Sequence, residues 1–228
     1  SFIVENKPGA GTNIAVKSVI TAEPDGYTLM LAANALAANM ALYQPAPFDA
    51  ERDLVPVSLV GLVPVVLATS TASNLTSFAR FLEVAKAKSP VLSFASPGNG
   101  STPHLAIELF ARAAGIDLQH IPYRGGSPAI TDVIGGQVDG IVMDFSALQG
   151  MLSQGRLRAI AGSKPIDKIE TSPMVISPWY GVVASAKVPK SNIKILHAAF
   201  TKVMADPDIV ARFEKMGMQS FVLPTPEE

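Results

Sequence analysis

Short apolar runs alternate with amphipathic stretches along most of this chain, and the alternation predicts an α/β fold. Val63–Thr69 is a continuous apolar, β-branched run that reads as a buried strand. Shorter strand-like segments fall at Phe2–Glu5, Tyr27–Ala32, Val55–Leu59, Val91–Ala95, Leu118–Pro122, Ile141–Asp144, Leu157–Ala161, Trp179–Ala184 and Phe221–Leu223. Ser77–Ala87 places Phe78, Phe81, Leu82 and Ala85 at helical spacing. Pro103–Ala114 is a second helix, with Leu105, Ile107, Leu109 and Phe110 apolar and Gly115 as its stop. Ser127–Ile134 ends at Gly135-Gly136, and Ala147–Ser153, Lys190–Ala205 and Pro207–Met216 complete the helical segments after it. Before Val63, a helix capped by Thr12 or Asn13 runs through Ala22. Asn34–Leu42 is a loop or short helix, and Phe48–Leu54 a polar link. Strands alternating with helices predict parallel pairing. Two apolar connectors, near 63–69 and 179–184, flank a self-contained βα block. Two lobes joined by crossing strands follow: residues 1–66 with 180–228, and residues 67–179, with hinges at the connectors.

The strand at Val91–Ala95 enters Ser96-Pro97-Gly98-Asn99-Gly100-Ser101-Thr102, and a helix opens at once. The first N–H groups of a helix have no internal partner and carry the positive end of its dipole. Glycines let a ligand approach the backbone, and the Ser101 and Thr102 hydroxyls add uncharged donors. Such a loop is expected to cradle a small carboxylate. Tyr123-Arg124-Gly125-Gly126-Ser127 repeats the design, with backbone N–H groups from Gly125 to Ser127 as donors and Arg124 either paired with the anion or a solvated or lobe-bridging charge. Asn34 and Asp144 each end a strand and join the candidates. Asp144 either contacts ligand or caps the next helix. His104, in the first turn of its helix, is either a site residue or a packing residue. Ser101 with His104 lacks the Gly-x-Ser-x-Gly elbow of a hydrolase, so no catalytic residue is assigned.

Composition narrows the class. The formal net charge is -1 over 228 residues, which gives no field for nucleic acid or an anionic membrane. No run reaches the roughly 18–20 apolar residues of a transmembrane helix, so direct membrane insertion is not expected. Cysteine is absent. His104, His120 and His197 lie far apart without ligand spacing, so no metal is expected. Gly9-Ala10-Gly11 lacks the third glycine and downstream acid of a dinucleotide loop, so no cofactor is expected either.

Three stretches carry a resemblance: Val4-Glu5-Asn6-Lys7-Pro8-Gly9-Ala10-Gly11, Pro24-Asp25-Gly26-Tyr27-Thr28-Leu29 and the Ala95–Leu105 loop. With His120-Ile121-Pro122-Tyr123-Arg124-Gly125-Gly126-Ser127-Pro128-Ala129 and Gly135-Gly136-Gln137-Val138-Asp139, the chain resembles the Bug (TctC-like) solute-binding proteins of tripartite tricarboxylate transporters. The resemblance implies a two-lobed, Venus-flytrap fold of the type II periplasmic-binding-protein topology, located in the periplasm. It implies capture of a small organic carboxylate (a di- or tricarboxylate, an acidic amino acid or an aromatic acid) and delivery to membrane transporter subunits. Two rivals stand beside it: a ligand-presenting partner of a receptor kinase, and an α/β enzyme acting on a carboxylate. The expected binding set is Asn34, Ser96, Gly98, Asn99, Gly100, Ser101, Thr102, His104, Tyr123, Gly125, Gly126, Ser127 and Asp144.

Relative to the family pattern, Lys164–Pro178 reads as shortened, and a first strand with a ligand-gripping loop is expected before Ser1. That strand would lie between Phe2–Glu5 and Tyr27–Ala32. The two would then stand about 9–10 Å apart, twice the strand spacing. The expectation is a chain that is not a complete mature protein, with a gap or a foreign strand between those segments.

Overall fold

The computed structural model describes residues 2–87, 90–163, 176, 178–221 and 225. The chain divides into two compact units, residues 1–62 with 179–215 and 219–228, and residues 63–178 with 216–218. The expected bounds placed Val63–Val66 in the first unit. They join the second because β3 (Val65–Ser70) pairs with two strands there.

The second unit is built on a five-stranded sheet of order β5-β4-β6-β3-β7. Its other strands are β4 (Leu92–Ser96), β5 (Leu118–Pro122), β6 (Gly140–Asp144) and β7 (Leu157–Gly162). β4 runs parallel to β5 and β6, whereas β3 is antiparallel to β6 and β7. Period-2 alternation explains its two cores. Leu67, Phe94 and Val142 point to one face, where Phe81 of α4 (Phe78–Lys86) and Ile107 and Phe110 of α5 (Thr102–Ala114) cover them. Val66, Ala68, Ala95, Ile141 and Met143 point to the other face. Ala129 and Val133 of α6 (Gly126–Ile134) and Leu148 of α7 (Phe145–Ser153) cover that one. Leu109, expected in the apolar stripe of α5, is 51% exposed; Ala106 takes the inward position.

The first unit has a four-stranded sheet of order β1-β8-β2-β9, with β1 (Met30–Ala33), β2 (Leu54–Leu62), β8 (Trp179–Ser185) and β9 (Gln219–Ser220). Every pairing in it is antiparallel, against the expected parallel arrangement. The reason is topological: β8 returns from the second unit and inserts between β1 and β2, two strands that both run against it. Val16 and Val19 of α1 (Asn13–Ile20) and Leu36 of α2 (Ala35–Leu42) pack on one face with Met30, Ala32 and Val183. Ile193 of α8 (Lys190–Met204) packs on the other with Val57, Val182 and Ala184. His197 of α8 is buried and its Nδ1 meets the Val57 carbonyl at 2.8 Å.

Other expectations are corrected. Phe2–Val4 forms no strand and is exposed, because no described strand offers its backbone a ladder. β1 begins at Met30 rather than Tyr27 and pairs with β8; as expected, it does not pair with Phe2–Val4. The polar link contains α3 (Ala50–Asp53), capped by the Asp49 carboxylate, which accepts from Glu51 and Arg52 N–H. Strand pairing near the carboxyl terminus falls at Gln219–Ser220, before Phe221; residues 222–224 and 164–175 lie outside the described set.

Candidate functional site

Because β5, β4 and β6 are adjacent and parallel, their carboxyl ends share one edge of the second unit's sheet. The helices that follow, α5, α6 and α7, all start from that edge. This is where ligands bind in open α/β sheets. Two loops there are tied together: Tyr123 N–H donates to the Ser96 carbonyl at 3.0 Å, and Gly125 N–H to the Pro97 carbonyl at 3.0 Å. Gly98 (φ 150°) is required by the approach, since a Cβ would stand 3.3 Å from the Tyr123 carbonyl oxygen.

Ser101 caps α5: its Oγ accepts from His104 N–H at 3.3 Å and donates to the Gly98 carbonyl at 2.7 Å. Its hydroxyl proton is therefore used inside the loop, which differs from the expected free donor. Ser96 is fully buried and sits at the loop's base. Its Oγ accepts from Gly98 N–H at 3.2 Å and lies 2.6 Å from His120 Nε2. Gly100 is buried, and its N–H donates to His104 Nδ1 at 3.1 Å. In contrast, the N–H groups of Asn99, Thr102, Gly126 and Ser127 donate to no protein acceptor among the described residues. These are the donors the edge presents.

The remaining expected residues divide. Tyr123 donates its hydroxyl proton to Asp132 Oδ2 at 2.7 Å. Loss of hydration, then the hydrogen bond and the charge of Asp132, pushes its phenol up to about 12. Asp144 ends β6, paired with Val65, and does not cap α7 through its side chain. Asn34 belongs to the other unit, where its Oδ1 accepts from Trp179 N–H at 2.9 Å and ties the end of β1 to the start of β8.

His120 was not among the expected site residues, yet the fold stacks it on His104 with ring centroids 4.0 Å apart and 23° between planes. Separation in sequence hid this. The signal was the period of β5, which faces His120 toward the helix above Phe94, its parallel partner. Burial, then the His104 charge, lowers His120 to about 4; burial also lowers His104, and Glu108 works against it. His104, Glu108 and His120 bring ligating atoms within 4.8 Å of one another. This set does not suit a cation. Gly100 occupies His104 Nδ1, which leaves the proton on Nε2, and Ser96 holds His120 Nε2. Near-parallel rings also aim their lone pairs side by side rather than at one centre.

Two α/β units, one with donor-rich loops along its sheet edge, point to the class of ligand-binding proteins. The chain belongs to the tripartite tricarboxylate transporter receptor family (TctC), which it matches over residues 1–225. It is 30% identical over 239 residues to the protein BugT of Bordetella pertussis, spanning 99% of this chain and 73% of BugT. Among solved structures, the periplasmic binding protein BugD superposes with a TM-score of 0.91 at 26% identity, covering 99% of this chain and 79% of BugD. A structure described as a periplasmic transporter gives 0.92 at 31% identity, over 99% and 79% of the two chains. The family is one of solute-binding receptors, and its members and neighbours indicate an extracytoplasmic protein. No helix among the described residues is long and apolar enough to cross a membrane.

Proposed function

We propose that this protein is a periplasmic receptor that holds a small organic carboxylate and passes it to the membrane subunits of a tripartite tricarboxylate-type transporter. One observation carries the reading. Four backbone N–H groups, at Asn99, Thr102, Gly126 and Ser127, stand without protein acceptors among the described residues along one sheet edge, at the starts of two helices. Amides and helix dipoles supply partial positive charge where a carboxylate needs it. No side chain has to change protonation to receive the ligand. Asp144 completes the proposed set on this edge from β6, while Ser96, Ser101 and Tyr123 hold the loops in shape.

An enzymatic reading has one observation in its favour, the 2.6 Å contact between Ser96 and His120. Ser96 is 0% exposed, however, so a nucleophile there cannot reach a substrate. A thermal-shift screen over mono-, di- and tricarboxylates, acidic amino acids and aromatic acids tests the proposal. It expects at least one acid to stabilise the protein and to be recovered unchanged. Stabilisation by none, or consumption of the acid, contradicts it. Co-purification with membrane subunits, rather than with a kinase ectodomain, separates transport from ligand presentation.

A further inference from the structure

We infer that His104 and His120 form a proton-sensitive latch on the 96–101 loop, closed while both rings are neutral and released when His104 takes a proton. The inference deepens the proposed function, since that loop is the proposed carboxylate cradle.

The latch has two points of hold. Gly100 N–H donates to His104 Nδ1, so that nitrogen must carry a lone pair. The neutral ring then keeps its proton on Nε2, which lies 3.8 Å from a Glu108 carboxylate oxygen. At the second point, His120 Nε2 and the Ser96 hydroxyl are 2.6 Å apart, and Ser96 also accepts from Gly98 N–H. Stacking couples the points, because each ring sets the position of the other.

A proton at His104 Nδ1 places an N–H opposite the Gly100 N–H. Two donors cannot share a hydrogen bond, so the contact is lost. Gly100 is buried, and its N–H meets no other protein acceptor among the described residues. The amide must turn to water or to a bound anion. Acid therefore adds one donor and one positive charge to the cradle and removes one of its fastenings. A second proton on His120 is opposed by the first ring at 4.0 Å.

The surrounding charges do not cancel this behaviour. On α5, Glu108 favours the charged form of His104. β4 (Leu92–Ser96) carries no titratable side chain, and on β5 the titratable residue is His120 itself. After β5 come Tyr123, bonded to Asp132, and the exposed Arg124; β6 contributes Asp144 at its end.

The test uses the full chain labelled with ¹⁵N and no ligand, titrated from pH 8 to pH 4. The Gly100 amide signal is expected to shift with the same midpoint as the His104 ring. Below that midpoint it should exchange with solvent about tenfold faster than in the variant His104→Asn at the same pH, as the loss of one hydrogen bond implies. Asn places Oδ1 where Nδ1 stood and takes no proton, so the Gly100 signal of that variant should stay flat. The wild-type titration decides alone if the variant does not fold. A Gly100 amide that stays still while the His104 ring titrates, or a ring that never titrates in this range, overturns the latch. Failure of the cradle reading is seen separately, as no amide shift with any carboxylate at pH 8.

Discussion

Replacing Ser101 separates the stability of the loop from its binding of anions. In Ser101→Ala, α5 loses its cap, the bond from His104 N–H to Oγ at 3.3 Å. The Gly98 carbonyl loses the hydroxyl but keeps Ser101 N–H at 3.2 Å and the Ser96 hydroxyl at 3.3 Å. The loss is therefore that of one cap, about 1 kcal/mol. Ser101→Asp restores a cap acceptor and adds a charge the helix dipole favours, so its stability should stay within about 0.5 kcal/mol of wild type. That same carboxylate stands in the cradle. At about 5 Å and an effective dielectric of about 20, it repels a bound carboxylate by about 3 kcal/mol, or roughly 100-fold in affinity. Urea denaturation gives the stabilities, and calorimetry with an acid found by screening gives the affinities. The reasoning fails if Ser101→Asp binds as well as Ser101→Ala. It fails equally if the Asp variant is the less stable of the two.

Three further outcomes follow from the same geometry. Gly140→Ala should destabilise by about 3 kcal/mol, because its Cβ would run into the edge of the Phe94 ring and lie 3.0 Å from the Ala68 carbonyl oxygen. A loss under about 0.5 kcal/mol in urea would show that this ring can move. Stability should also depend on acid. His120 falls to about 4 in the folded protein against about 6.5 unfolded, so the unfolded chain binds the extra proton. The contribution is complete above about pH 6.5, declines as pH falls toward about 4 and is flat below. Its upper bound of about 3 kcal/mol shrinks to about 1–2 kcal/mol for a half-exposed ring screened by solvent. His120→Phe should flatten that slope, and an unchanged slope would assign it to other groups. Asn34→Ala should cost about 1 kcal/mol by leaving Trp179 N–H without its acceptor, with no loss read as evidence that water replaces it.

Periodicity made the second unit's elements legible. Ser77–Ala87 and Val91–Ala95 needed only spacing, and glycines between a strand and a helix marked both loops. Strand direction was not legible, because β8 pairs with strands far away in sequence and local pattern says nothing of which way a returning strand runs. Phe2–Glu5 has strand composition but pairs with no strand among the described residues, and composition cannot supply a partner. At the site, the loop glycines announced themselves, but the partners of Ser96, Tyr123 and Asn34 are tertiary. So is the meeting of His104 and His120, brought together by the pairing of β4 with β5.

The central claim is that the edge formed by the 96–102 and 123–127 loops binds a carboxylate through its backbone. The most direct measurement is the amide spectrum of the labelled protein at pH 8, with and without an acid that raises its melting temperature. The account predicts that the Asn99, Thr102, Gly126 and Ser127 amides shift most and together, with one dissociation constant, and that the acid is recovered intact. Shifts confined to residues away from these loops, from an acid shown to bind, would contradict it.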